Sequence, residues 1–241
     1  MTTYLEPTQE RAPHRVRTAA PRPSVFAVRL GLAGIVLSAL FMTQLTVAAW
    51  DRMSVLDTTM SDYVFVPGIG WMFGAAVLCM SVAGIGVILG LARIRLLDGT
   101  VLRLALGLAA LGSLLAAIFP TDLGESLSTS AQIHRYAAGV VFFCVPIATF
   151  LVARQLTGVG YLAGYRKWLY TNVIVTSVVL TLFMTSHFGA MPELLRELNG
   201  LFQRVLFVLE LTLLAQVVLL PLRFRAPAAV AAVTVPAQRV R

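Results

Sequence analysis

Five residues carry chemistry in a sequence that otherwise offers little of it: Asp57, Asp122, His134, His187 and Glu210. Imidazole can ligate a metal ion or a haem iron, and it can carry a proton near neutral pH. A carboxylate can orient an imidazole or share a cation with it. Asp122 stands in Phe119-Pro120-Thr121-Asp122, twelve residues before His134. Ser130 is one helical turn before His134, whereas Arg135 points about 100° away from it on a helix. His187 stands in Thr185-Ser186-His187-Phe188-Gly189, where an apolar run ends. Glu210 lies deepest in its run, roughly 12 Å from the nearer end at 1.5 Å per residue. Gln203, seven positions earlier, shares its helical face.

Each of these residues also has a plainer role. A histidine at a helix end serves as an interfacial hydrogen-bonding group. Pro120 stops a helix, and Thr121 or Asp122 can then satisfy the freed backbone. Asp51, Asp57 and Asp62 fall within one stretch, and such a run is either simply solvated or recruits a cation. A carboxyl such as Glu210 in an apolar run either hydrogen-bonds a neighbouring helix or handles a ligand, proton or cation.

The elements that must position these groups follow from composition. Of the 241 residues, 58% are hydrophobic and 12% charged, against about 25% charged in soluble domains. The mean hydropathy is +0.83. A soluble enzyme, a disordered chain and a disulfide scaffold are excluded, because a water-soluble fold cannot hide that much apolar surface. Six apolar runs, at about 29–50, 66–92, 101–119, 132–153, 168–187 and 202–221, are each near the roughly 20 residues that cross a bilayer. The expected fold is all-α, a bundle of six transmembrane helices. Residues 1–28 read as a disordered basic tail and 222–241 as an Ala/Pro/Arg tail. The first run is longer than the roughly 7–15 residues of a signal-peptide core and reads as an uncleaved anchor.

Charge orients the bundle. Fifteen of the nineteen Lys and Arg residues fall in the two tails and in the second and fourth connections. Arg52, Arg135, Arg196 and Arg204 fall on the other side. The positive-inside rule puts both termini in the cytoplasm, in a cytoplasmic (plasma) membrane. The net charge of +8 is thus a topology signal and not a nucleic-acid footprint. Trp50, Trp71, Trp168 and several tyrosines mark the interfaces. Gly70 with Gly74, and Gly86 with Gly90, allow close helix approach, either inside the bundle or against a second copy or membrane partner. Pro146 is expected to bend the fourth helix. Cys79 and Cys144 read as small hydrophobes. No nucleotide, zinc-protease, CxxC, GxSxG or dinucleotide motif is present, so soluble-domain chemistry is not expected. Ser130-x-x-x-His134 resembles one element of the membrane-embedded ceramidase and adiponectin-receptor-like hydrolases. Their paired histidines in the last helix have no counterpart here.

A stronger resemblance rests on the six segments, Ser54-Val55-Leu56-Asp57 in the first outer loop, the Gly-rich second helix, and Phe119-Pro120-Thr121-Asp122 followed by His134. In these the chain is similar to the bacterial six-helix membrane family of unknown function 998, over about residues 30–220. That resemblance implies the fold and an outer-face cluster of Asp57, Asp122 and His134. It implies no activity.

Three functions fit the sequence. The first is a binding or transport-associated protein with an outer-half polar site for a cation, proton or lipid headgroup, which needs Asp122, His134, His187 and Glu210 to converge. The second is a structural or partner-assembly protein without a site. The third is a membrane enzyme in which His134 and His187, with or without Asp122, hold a metal or haem. No cofactor is predicted.

Overall fold

The computed structural model describes residues 24–122, 128–189 and 192–224. Six helices are long and apolar enough to cross a membrane. They are α1 (Val25–Ala48), α2 (Trp71–Arg93), α3 (Thr100–Ile118), α4 (Thr129–Gln155), α5 (Ala163–His187) and α7 (Asn199–Arg223). A single helical turn, α6 (Glu193–Arg196), precedes α7, and 3-10 turns occupy Met60–Phe65 and Gly160–Leu162. There is no strand among the described residues. The shortest span, the 19 residues of α3, covers about 28 Å at 1.5 Å per residue, close to the roughly 30 Å of a hydrocarbon core.

Local chemistry sets the helix ends. α1 starts at Val25, ahead of Arg29, because Ser24 caps it: the Ser24 hydroxyl accepts the Ala27 N–H at 3.2 Å, which satisfies one of the free N-terminal donors. α2 starts only at Trp71 because Pro67 and Gly68 interrupt the apolar run, with Gly68 at φ +81°. The first five residues of that run, 66–70, are spent on a turn. α4 continues on both sides of Pro146, and α7 runs through Pro221 to Arg223. Residues 25–28 and 222–223, assigned to the two tails from the sequence, belong to α1 and α7; the rest of the tails, 1–23 and 225–241, and residues 123–127 with Glu125 lie outside the described residues.

In lipid, helices gain nothing by hiding apolar surface from one another, so close backbone packing has to hold them together. The α1–α2 contact is built that way. A Cβ on Gly34 would lie 2.6 Å from the Cys79 carbonyl oxygen, and one on Gly86 would lie 2.5 Å from Gly31 Cα. Gly112 of α3 meets the Ala137 carbonyl of α4 in the same manner, at 2.9 Å. The four glycines picked out of the second run all face neighbours within the chain. Gly70 faces the first loop, Gly74 α3, Gly86 α1 and Gly90 α7. α7 is the central helix, with 61% of its apolar window buried, against 33% for α1 and for α5.

The two ends of the bundle are finished differently. At the tail end, Gln155 Nε2 donates to the Asp98 carbonyl at 2.7 Å. There the Tyr165 hydroxyl donates to the Gln216 carbonyl, and the Arg223 guanidinium lies 4.7 Å above the Tyr165 ring. At the other end, the loop end, the first loop folds back over the helices. α7 holds it there: the Leu201 N–H donates to the Leu56 carbonyl at 2.9 Å, and Gln203 Oε1 accepts the Met60 N–H at 2.6 Å.

Candidate functional site

The five residues read from the sequence occupy different places. Asp57 is exposed in the first loop, and a hydrogen bond from the Ser54 hydroxyl holds its carboxyl below the usual carboxylate range. Asp122 accepts the Ser128 N–H at 2.7 Å. Hydrogen bonds from the Ser128 side chain and backbone likewise hold its carboxyl below the usual range. It thus sits at the entry of α4, where Ser128 itself caps the helix by accepting the Ala131 N–H at 3.2 Å.

His134 is buried. Its Nδ1 lies 3.0 Å from the Ala116 carbonyl and 2.9 Å from the Phe119 carbonyl. Two acceptors on one ring nitrogen require that nitrogen to carry a proton. The carbonyls it serves are the ones freed where Pro120 ends α3, so the Phe-Pro-Thr-Asp stretch and His134 form one structural joint. The ring also packs on Phe73, 5.8 Å between centroids.

His187 ends α5, exposed, with its ring against Phe183 at 5.6 Å and Phe188 at 5.3 Å. Glu210 is fully buried within the bundle. Neither of its carboxyl oxygens has a hydrogen-bond partner among the described residues.

Among the described residues no two of the five share a hydrogen bond or a salt bridge, and no group of three or more His, Cys, Asp or Glu is placed to hold one metal ion. His134 borders a cavity. This is a small space of about 60 Å³ at the loop end, lined by Ser61, Ser113, His134 and Gln203 among Met and Phe side chains. It is large enough for water, since one water needs roughly 10–15 Å³ of such volume.

A second site, not assembled from the sequence, lies between α1 and α7. A groove of about 510 Å³ opens along the side of the bundle. Ile35, Ala39 and Thr43 line it from α1, and Phe207, Leu211 and Ala215 from α7. Arg204 closes its loop end. Nη1 of Arg204 donates to the Thr58 carbonyl at 2.8 Å and to the Gly200 carbonyl at 2.9 Å, and Nη2 donates to the Tyr63 hydroxyl at 2.8 Å. The guanidinium also lies 5.3 Å from the centre of the Tyr63 ring. Nε has no partner, and all the groups that hold the cation are neutral. The one salt bridge among the described residues is Arg52–Asp51, exposed and 4.0 Å long. Arg204 is therefore a half-buried cation without a counter-ion.

In the sequence Arg204 is one of the four basic residues that set the orientation. The local signal that it does more is its place inside an apolar run, where an ionisable group is costly and usually functional. Gln203 shares a helical face with Glu210 on a helical wheel, yet the two part in the fold: Gln203 reaches the first loop and Glu210 faces the packed interior.

The chain is a multi-pass α-helical membrane protein with polar groups clustered at its loop end. A family model described as "Protein of unknown function (DUF998)" matches residues 21–220, and the chain belongs to that family. No curated protein and no solved structure matches it.

Proposed function

We propose that this protein binds a single membrane lipid in the groove between α1 and α7, with the lipid's polar end at the loop end of the bundle. The observation that carries this reading is the groove itself: apolar along its length, open on the side where the bilayer lies, and closed by Arg204. From Arg204 to Ala215 it spans eleven residues of α7, about 17 Å at 1.5 Å per residue. That is roughly half of the ~30 Å hydrocarbon core, the depth of one leaflet. The basic residues concentrated at the opposite end support a loop end that is extracytoplasmic and termini that are cytoplasmic. Of the ligands that fit the sequence, a lipid headgroup is favoured over a cation, because the charge at the groove's mouth is positive.

The test is lipid retention after purification into detergent, read by native mass spectrometry. Ala39→Trp fills the groove. Ser177→Trp fills a separate opening of about 430 Å³ between α4 and α5 and serves as the control. The expected result is a retained lipid on the wild type and on Ser177→Trp, and none on Ala39→Trp. Equal retention by all three would remove the groove as the site.

A further inference from the structure

Resting on the groove as a lipid site, we infer that the lipid it selects is an anionic phospholipid, recognised by Arg204. Depth is the first reason. α7 has 25 residues, about 37 Å at 1.5 Å per residue, longer than the ~30 Å hydrocarbon core. Its first turn therefore projects into the headgroup layer and places Arg204 at the boundary, level with lipid phosphates.

Charge is the second reason. The partners of Arg204 are two backbone carbonyls and a phenol, and no carboxylate among the described residues neutralises it. A half-desolvated guanidinium gains most from an anion that can take the Nη2 N–H not already given to Tyr63, and a phosphate oxygen matches that geometry. Pre-organisation is the third. The Tyr63 ring and the Thr58 carbonyl fix the guanidinium plane before any ligand arrives, so little side-chain entropy is lost on binding. Thr43 and Thr46 of α1 line the same groove; Thr46 spends its hydroxyl hydrogen on the Met42 carbonyl at 2.8 Å and keeps acceptor capacity for a glycerol hydroxyl.

The experiment uses the full chain in detergent with equal amounts of phosphatidylglycerol and phosphatidylcholine, and reads the retained lipid by native mass spectrometry. Wild type should retain phosphatidylglycerol about tenfold over phosphatidylcholine, the scale of one charge-assisted contact. Arg204→Gln should reduce the preference to near parity while its melting temperature shows that it is folded. A preference that survives in Arg204→Gln overturns the inference. Because Arg204 also holds the first loop, Arg204→Gln can fail to fold. The wild-type competition then decides: a preference that disappears on Ala39→Trp supports the inference, and parity in wild type overturns it. Parity in wild type with retention still abolished by Ala39→Trp rejects the anionic class and leaves the groove as a lipid site. Retention that Ala39→Trp does not change rejects the groove itself.

Discussion

α1 has two neighbours and meets them in opposite ways. Against α2 it is sealed: Gly34 and Gly86 bring backbone onto backbone, with no room for even a methyl group. Against α7 it is closed near the tail end, where a Cβ on Gly31 would lie 2.7 Å from Val218 Cγ2. Towards the loop end the same pair of helices separates into the 510 Å³ groove. The apolar residues of α1 look alike on both sides, so hydrophobicity does not distinguish them. In a bilayer, packing comes from small residues that allow close approach, and an apolar face without them is left to lipid. The contrast shows where the molecule packs backbone on backbone and where it leaves a groove open.

The largest expected effect breaks the sealed side. Gly86→Val puts branched carbons onto Gly31 backbone atoms that cannot move aside. The cost is about 3 kcal/mol or more, the upper end of overpacking penalties. It should appear as a lower melting temperature and a smaller folded fraction after purification.

A smaller effect sharpens the open side. Tyr63→Phe removes the acceptor of the Arg204 Nη2 hydrogen bond within a fully buried ring. About 1–2 kcal/mol should be lost, and amide exchange should rise in residues 49–70, because that ring and Arg204 together hold the loop down.

Asp122 touches neither face of α1 and gives a pH-dependent control. Its carboxyl is held below the usual range by the Ser128 hydrogen bonds. The stabilisation is therefore complete above an unfolded value of about 3.9 and is lost as pH falls through the lower folded value. The melting temperatures of wild type and Asp122→Asn should differ at neutral pH and converge as pH falls through the folded value. Asp122→Asn added to Ala39→Trp should show the same convergence with Ala39→Trp alone. A gap that widens on acidification contradicts the assignment.

The smallest effect is expected from Thr43→Val. It exchanges a hydroxyl for a methyl in the open groove and should change stability by less than about 0.5 kcal/mol, as peripheral substitutions do. A loss of 2 kcal/mol or more, the scale of a large core deletion, would show that the groove is packed core rather than lipid-facing space.

The joint around His134 shows how part of the site could be read in advance and part could not. Pro120 announces the end of α3, and fourteen residues on His134 serves the freed carbonyls. The helix end and the nearness of His134 were legible, but the freed backbone was expected to go to Thr121 or Asp122, and it is the imidazole that serves it and joins the two helices. Asp122 also belongs to this joint, but it serves the α4 backbone and not the imidazole. The convergence of His187 and Glu210 with these residues was an inference from shared depth. Depth says nothing about direction around a helix axis, and Glu210 turns inward while His187 stays exposed.

By itself the sequence determined the membrane class, the number of spans and their approximate ends. Those follow from the length of apolar runs and from local breakers such as Pro67 and Pro120, and each is a property of consecutive residues. The tertiary structure alone decided which faces meet. Arg204 reaches Thr58 and Tyr63 across more than 140 positions, and the groove exists because α7 diverges from α1 as it leaves Gly31 and Val218. Both depend on the rotation of each helix about its axis and on the packing of neighbours far apart in the chain, which no run of adjacent residues encodes.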